Sequence, residues 1–253
     1  MTAPASPSAH VEVRNLSITY GGRLIQQDLT FTVGRGEVFV IMGDSGCGKS
    51  LLMRHMIGLD PPAAGEVLYG GEPLWAAGEE QREQLKLRLG VLYQNGALFS
   101  SMTLEENVSL ALVMHAGLTP AAAGDVARLK LALVGLSGFE GHYPSEISGG
   151  MRKRAGLARA MALDPEVLYF DEPSAGLDPL SSKRLDELIL ELRDSVGTTI
   201  VLVTHQLPSI FELGDHAVFL DADQKTMTAL GRPEELKDSP DPKVRAFMSR
   251  GRQ

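Results

Sequence analysis

Gly43, Asp44, Ser45, Gly46, Cys47, Gly48, Lys49 and Ser50 follow the order G-x-x-x-x-G-K-[ST]. That spacing makes a phosphate cradle. The glycines let the backbone wrap an anion, the N–H groups from Ser45 through Leu51 can point inward, and the helix that follows adds about half a positive charge at its N-terminus. Lys49 then bridges the β- and γ-phosphates of a nucleoside triphosphate, and Ser50 ligates Mg2+. Asp44 sets a carboxylate beside the anion, an unfavourable neighbour unless it faces solvent. Cys47 falls at the helix N-terminus, where a thiolate is favoured. It is either a reactive thiol whose alkylation blocks nucleotide binding, or a small residue filling the loop.

A second constellation ends the apolar run Val167-Leu168-Tyr169-Phe170 with two carboxylates, Asp171 and Glu172. In an open α/β sheet such a strand carries its acids to the carboxyl edge where ligands bind. Asp171 there holds Mg2+ through water, and Glu172 aligns or deprotonates the attacking water. A third element, Ser148-Gly149-Gly150-Met151, opens a helix containing Arg152, Lys153, Arg154 and Arg159. Ser148 can cap that helix, and the paired glycines leave backbone N–H groups open to close approach, so this site is built to receive a second anion.

These residues need strands and helices in alternation. β-rich runs at 11–20, 29–33 and 37–42 are punctuated by Gly21-Gly22 and by Gly34, Arg35 and Gly36, and a helix follows from about Gly48 until Gly58 and Pro61-Pro62 stop it. Residues 66–69 form another strand. From Thr103 to Leu163 the periodicity turns helical, at 108–115, 126–134 and 151–163. The alternation then returns with a strand at 167–170, a helix at 179–196, a strand at 198–204, a short helix and a strand at 217–220, which predicts a parallel sheet covered on both faces.

The 253 residues carry 24 Lys+Arg against 32 Asp+Glu, a net charge of −8, and are 43% hydrophobic. That excludes disordered, collagen-like and disulfide-scaffold classes and argues against a general nucleic-acid binder. A lone cysteine points to a reducing compartment. Residues 1–9 read as a flexible lead-in rather than a signal peptide, and no apolar run is long enough to span a bilayer.

With GDSGCGKS, the Ser148-Gly149-Gly150 signature, LYFDE at 168–172 and His205 in order, the chain resembles the nucleotide-binding subunit of ABC transporters over residues 11–232. The resemblance implies an α/β P-loop NTPase fold with an N-terminal antiparallel β subdomain and an inserted α-helical subdomain. Residues 10–253 would form one ATPase domain. Its α/β core spans 10–95 and 165–238, its helical subdomain about 96–164, and its C-terminal tail 239–253. ATP and Mg2+ are the implied cofactors, and each ATP lies between the phosphate loop of one copy and the signature residues Ser148 to Met151 of another, so hydrolysis needs a homodimer. Tyr20 resembles the aromatic that stacks on adenine, the alternative being a surface tyrosine at a strand end. Gln94 resembles the loop glutamine that touches Mg2+ and the attacking water. Asp178 resembles the loop that crosses between subunits, and His205 the switch histidine on the γ-phosphate.

Met151 stands where most relatives carry Gln, and Ile147 where Leu is usual. That Met, the stretch from Gln94 to Phe99 with Thr103 to Val108, and the tail 239–247 resemble the subgroup serving Mla and Mce phospholipid-transport systems. Each has a plainer reading: Met151 as packing under its helix, the tail as an amphipathic surface helix. The subgroup implies an integral membrane permease (MlaE-like) as partner, with an Mce-domain lipid-binding protein and a small regulatory subunit. It also implies a cytoplasmic position, peripheral on the inner membrane, and no nucleic acid. Leu98, Phe99 and Met102 are either docking residues for the permease or ordinary core. A transporter ATPase for another substrate and a non-transport ABC ATPase remain the alternatives.

Overall fold

The computed structural model describes residues 9–76 and 78–250, so the expected lead-in at 1–9 lies, Ala9 apart, outside the described residues. The chain runs β1 (Ala9–Tyr20), β2 (Arg23–Gly34), β3 (Val38–Gly43), α1 (Lys49–Met56), β4 (Ala64–Tyr69), β5 (Glu72–Pro73), α2 (Glu79–Leu87), β6 (Leu89–Leu92) and α3 (Leu104–His115). It continues through α4 (Pro120–Leu133), α5 (Gly149–Ala160), β7 (Val167–Asp171), α6 (Pro179–Val196), β8 (Thr199–Val203), α7 (Leu207–Leu213), β9 (His216–Asp221), β10 (Thr226–Gly231), α8 (Pro233–Leu236) and α9 (Pro242–Ser249). Contacts group the chain into two units, Met1–Lys86 with Leu192–Gln253, and Leu87–Glu191. Among the described residues no helix is long and apolar enough to cross a membrane.

The first unit holds two sheets. β1 pairs with β2 and β4 antiparallel, and β5 extends β4. β3 is flanked by β8 and β9, both parallel to it. Every residue of β3 is buried, as the unbroken apolar run of a parallel strand covered on both faces demands, and each large side chain placed there contributes about 1.5–3 kcal/mol. Phe31 of β2 stacks on Phe39 of β3 with ring centroids 5.1 Å apart, joining the two sheets of this unit. Buried His10 bonds through Nδ1 to Thr199 Oγ1 at 2.7 Å, and the same hydroxyl accepts from Gly36 N–H, pinning the turn before β3. β10, a strand the sequence reading did not include, runs antiparallel to β9 and adds an antiparallel edge to the expected parallel strands.

In the second unit β6 pairs with β7 in parallel, and α3, α4 and α5 pack together. Thr103 and Glu106 form a reciprocal capping box at the start of α3, and Thr119 caps α4 before Pro120. Gly90 in β6 lies so close to the backbone that a Cβ would sit 2.2 Å from the Ala160 carbonyl oxygen. Buried Asn107 accepts from Phe99 N–H and donates to the carbonyls of Phe99, Met102 and Thr103, which folds 99–103 onto α3.

Candidate nucleotide site

The phosphate loop is the link from β3 to α1. Gly43, Gly46 and Gly48 adopt φ of 148°, 82° and 98°, which L side chains rarely take. Space adds a second demand: a Cβ on Gly43 would sit 2.5 Å from the Leu220 carbonyl oxygen, and one on Gly48 would sit 2.8 Å from Ile25 Cγ2. Ser45, Gly46 and Ser50 are exposed, and Leu51 is half-buried. Lys49 is buried, and its ammonium donates to the Gly43 and Asp44 carbonyls at 2.9 and 3.1 Å, which holds it in the curve of the loop. Gln26, on β2 and fully buried, donates from Nε2 to the Cys47 carbonyl at 2.7 Å and the Asp221 carbonyl at 3.1 Å. No loop motif announces that strut.

Cys47 is 1% exposed. Burial pushes its thiol above the ordinary value, outweighing the pull of Lys49. Burial thus opposes the lowering expected at a helix N-terminus and favours the small loop-filling residue over the reactive thiolate. Asp44 finds a partner in Arg250, whose Nη1 donates to Oδ1 at 2.6 Å. Tyr20 ends β1 at 68% exposure, an open ring face before the Gly21-Gly22 turn. His205 follows β8 and is exposed.

The second unit carries the acids and the signature. Asp171 ends β7, and Glu172 takes φ 49°, a left-handed conformation uncommon for a non-glycine residue and concentrated at functional sites. Lys153 of α5 holds that turn: its ammonium donates to the carbonyls of Glu172, Pro173 and Ala175 at 3.4, 2.5 and 2.6 Å. Burial draws the ammonium below its ordinary value, and the Glu172 carboxylate opposes that drift. Ser148 caps α5, its hydroxyl accepting from Met151 N–H at 3.3 Å. Gly149 and Gly150 open the helix, and half-buried Met151 lines a cavity of about 490 Å3 with Leu133 and Leu177. Asp178 Oδ1 accepts from the N–H groups of Leu180 and Ser181, and hydrogen bonds from Ser181 hold its carboxyl below the usual range. Gln94 is exposed beyond β6.

The basic residues of α5 serve the architecture. Arg152 donates to the Ile147 carbonyl, Arg154 to those of Val134 and Gly135, and Arg159 to those of Ala97 and Gly96. Sequence reasoning counted these cations with an anion site; with Lys153 they hook loops onto the helix instead.

A glycine-bent loop between a buried strand and a helix, an acid-ended strand and a capped diglycine helix define a nucleotide-binding α/β ATPase. The ABC transporter family profile matches residues 26–175. "Intermembrane phospholipid transport system ATP-binding protein MlaF" of Escherichia coli K12 is 41% identical over 94% of this chain and 88% of its own. "Probable ribonucleotide transport ATP-binding protein mkl" of Mycobacterium bovis is 39% identical over 94% of this chain and 66% of its own. Among solved structures, cbiO1 of Clostridium perfringens, part of the ABC transporter complex cbiONQ, shares the fold with TM-score 0.82 at 24% identity, covering 97% of this chain and 96% of its own. The ATP-binding cassette MJ0796, a dimer in a post-hydrolysis state with ADP and Pi, aligns with TM-score 0.79 at 26% identity over 88% and 98%. The chain belongs to the ABC transporter family and is an ATP-hydrolysing subunit of it.

Proposed function

We propose that this ATPase drives phospholipid movement across a bacterial envelope, working as a homodimer beneath an integral membrane permease. Near full-length similarity to a phospholipid-transport ATP-binding protein carries this reading, together with Met151 after the diglycine. In the proposed cycle two copies close around two ATP molecules, closure pushes the permease, and hydrolysis with phosphate release reopens the pair. The protein would then sit on the cytoplasmic face of the inner membrane, held there by the permease. An Mce-domain lipid-binding protein and a small regulatory subunit complete the expected assembly.

We assign the roles as follows. The N–H groups of Gly43 and of Ser45 through Leu51 bind phosphate, Lys49 bridges β and γ, Tyr20 stacks on adenine, and Ser148, Gly149, Gly150 and Met151 meet the ATP of the other copy. Glu172 activates water, His205 contacts the γ-phosphate and Asp178 lies in the loop that crosses to the partner copy. Ser50, Gln94 and Asp171 offer hydroxyl, amide and carboxylate oxygens, the donor type that suits Mg2+, a hard cation that keeps several waters. When bound, that ion neutralises charge developing on the phosphates. Residues 10–95 and 165–238 are assigned to the α/β core, about 96–164 to the helical subdomain, and 239–253 to the tail.

For the permease, the supporting feature is a cavity of about 300 Å3 in the second unit, lined by Leu89, Phe99, Leu110, Ala111 and Met114. Phe99 is 51% exposed, whereas Leu98 and Met102 are half-buried. Such an apolar surface suits a short helix of a partner.

Purification of the tagged protein from native membranes in gentle detergent, with mass spectrometry of partners and bound lipid, tests the reading. A permease with an Mce-domain protein and phospholipid is the expected result. Recovery of a different permease, such as one carrying ribonucleotides, removes the lipid reading, and no membrane partner removes the transport reading.

A further inference from the structure

The C-terminal helix α9 is tied to the phosphate loop from two sides within the first unit. At its start Lys243 Nζ donates to both carboxylate oxygens of Asp221, at 3.1 and 2.8 Å, and to Asp223 Oδ2 at 2.6 Å. Asp221 is buried at the end of β9, and its Oδ1 also accepts from the N–H groups of Asp223 and Gln224. Its backbone carbonyl accepts from Gln26 Nε2, the same nitrogen that donates to the Cys47 carbonyl inside the loop. Along the helix Val244, Phe247 and Met248 are buried, and Phe247 meets Phe219 of β9 edge-on at 5.3 Å. At its far end the Arg250 guanidinium lies over the Phe247 ring and donates to Asp44 Oδ1 at 2.6 Å. The contacts thus form a circuit from Cys47 through Gln26, Asp221, Lys243 and α9 back to Asp44.

Asp44 is the second residue of the loop, where a carboxylate opposes a triphosphate. The geometry points to Arg250 as a positioning residue for ATP: it cancels the Asp44 charge, and it makes the C-terminal helix part of the nucleotide-binding apparatus. This rests on the assignment of GDSGCGKS as the phosphate loop. Both side chains are about half exposed, and an exposed ion pair adds little to folding stability. Its effect belongs in nucleotide affinity, because the anion it serves is highly charged and close to Asp44.

The test measures Mg-ATP affinity of the full chain by calorimetry, at low salt and at about 0.5 M salt, where exposed charges are screened. Arg250→Ala is expected to weaken binding about two- to fivefold at low salt, a range set by one exposed charge. The loss shrinks at high salt, the melting temperature stays near that of the parent, and the loss disappears in an Asp44→Asn background. Unchanged affinity at low salt, or an equal loss with Asn at position 44, overturns the role of Arg250. Lys49→Ala separates the two assignments. If it binds ATP like the parent, the phosphate-loop assignment fails; if it loses ATP while Arg250→Ala does not, only Arg250 is excluded.

Discussion

The phosphate loop of the first unit and the signature region of the second both present backbone N–H groups, and they are built by opposite means. The loop leaves regular structure, bending at Gly43, Gly46 and Gly48 with positive φ. Its demands are therefore local, and eight consecutive residues state nearly all of them. The signature stays inside regular structure, as the first turn of a helix capped by Ser148. What holds it and the acidic turn in place is a set of long cations, Arg152, Lys153, Arg154 and Arg159, each reaching backbone carbonyls of separate loops. A site made by torsion angles is written as a motif, whereas a site made by side-chain struts is scattered through the chain.

Removing chemistry from each region should therefore produce contrasting failures. Glu172→Gln keeps the side chain's size and removes the carboxylate proposed as the base, so turnover is expected to fall about 10²–10⁴-fold while ATP binding persists and an ATP-bound dimer accumulates. Lys49→Ala is expected to lose ATP binding itself. Steady-state hydrolysis with size-exclusion chromatography in ATP distinguishes them, and near-parental turnover by Glu172→Gln contradicts its role as base.

The strut in the second unit has the next largest effect. Lys153→Ala leaves the carbonyls of Pro173 and Ala175 without a cationic donor beneath the strained Glu172 turn. A cost of about 2–4 kcal/mol is expected in urea unfolding, with loss of turnover. Parental stability in that variant would mean that the turn keeps its conformation unaided.

The same contrast explains what could be read in advance. β3, α1, β7 and α5 were legible because an apolar run or a helical period meets a motif at its end. α2 gave no signal, since Leu85 is its one buried residue. β6 is four residues long with a glycine at a backbone contact, and β10 is a half-buried edge. Lys153 looked like part of an anion site because its residue type is basic, and nothing local says that it faces carbonyls of residues 172–175. Gln26 and Arg250 lie far along the chain from the loop they support, so no spacing rule reaches them.

Gln26 offers a finer probe of the loop. Gln26→Leu keeps the volume and removes the donor shared by the Cys47 and Asp221 carbonyls. The expected destabilisation is about 1–2 kcal/mol by urea titration, with weaker ATP binding. If affinity is unchanged, the loop torsions alone suffice and the contrast with the second unit becomes sharper.

Cys47 gives the smallest effect and the clearest sign. Its buried thiol has a value raised above the ordinary 9.0, so between those two values the unfolded chain has lost the proton and the folded one has kept it. The folded state then binds more protons, and stability must fall as pH rises through that window. The slope fades below about pH 8, where the thiol is protonated in both states. Urea midpoints at pH 8 and pH 10 should therefore separate more for the parent than for Cys47→Ala, and alkylation at pH 8 should follow unfolding rather than precede it. Rapid labelling of the folded protein, protected by ATP, would restore the thiolate reading and show that the loop opens to expose Cys47.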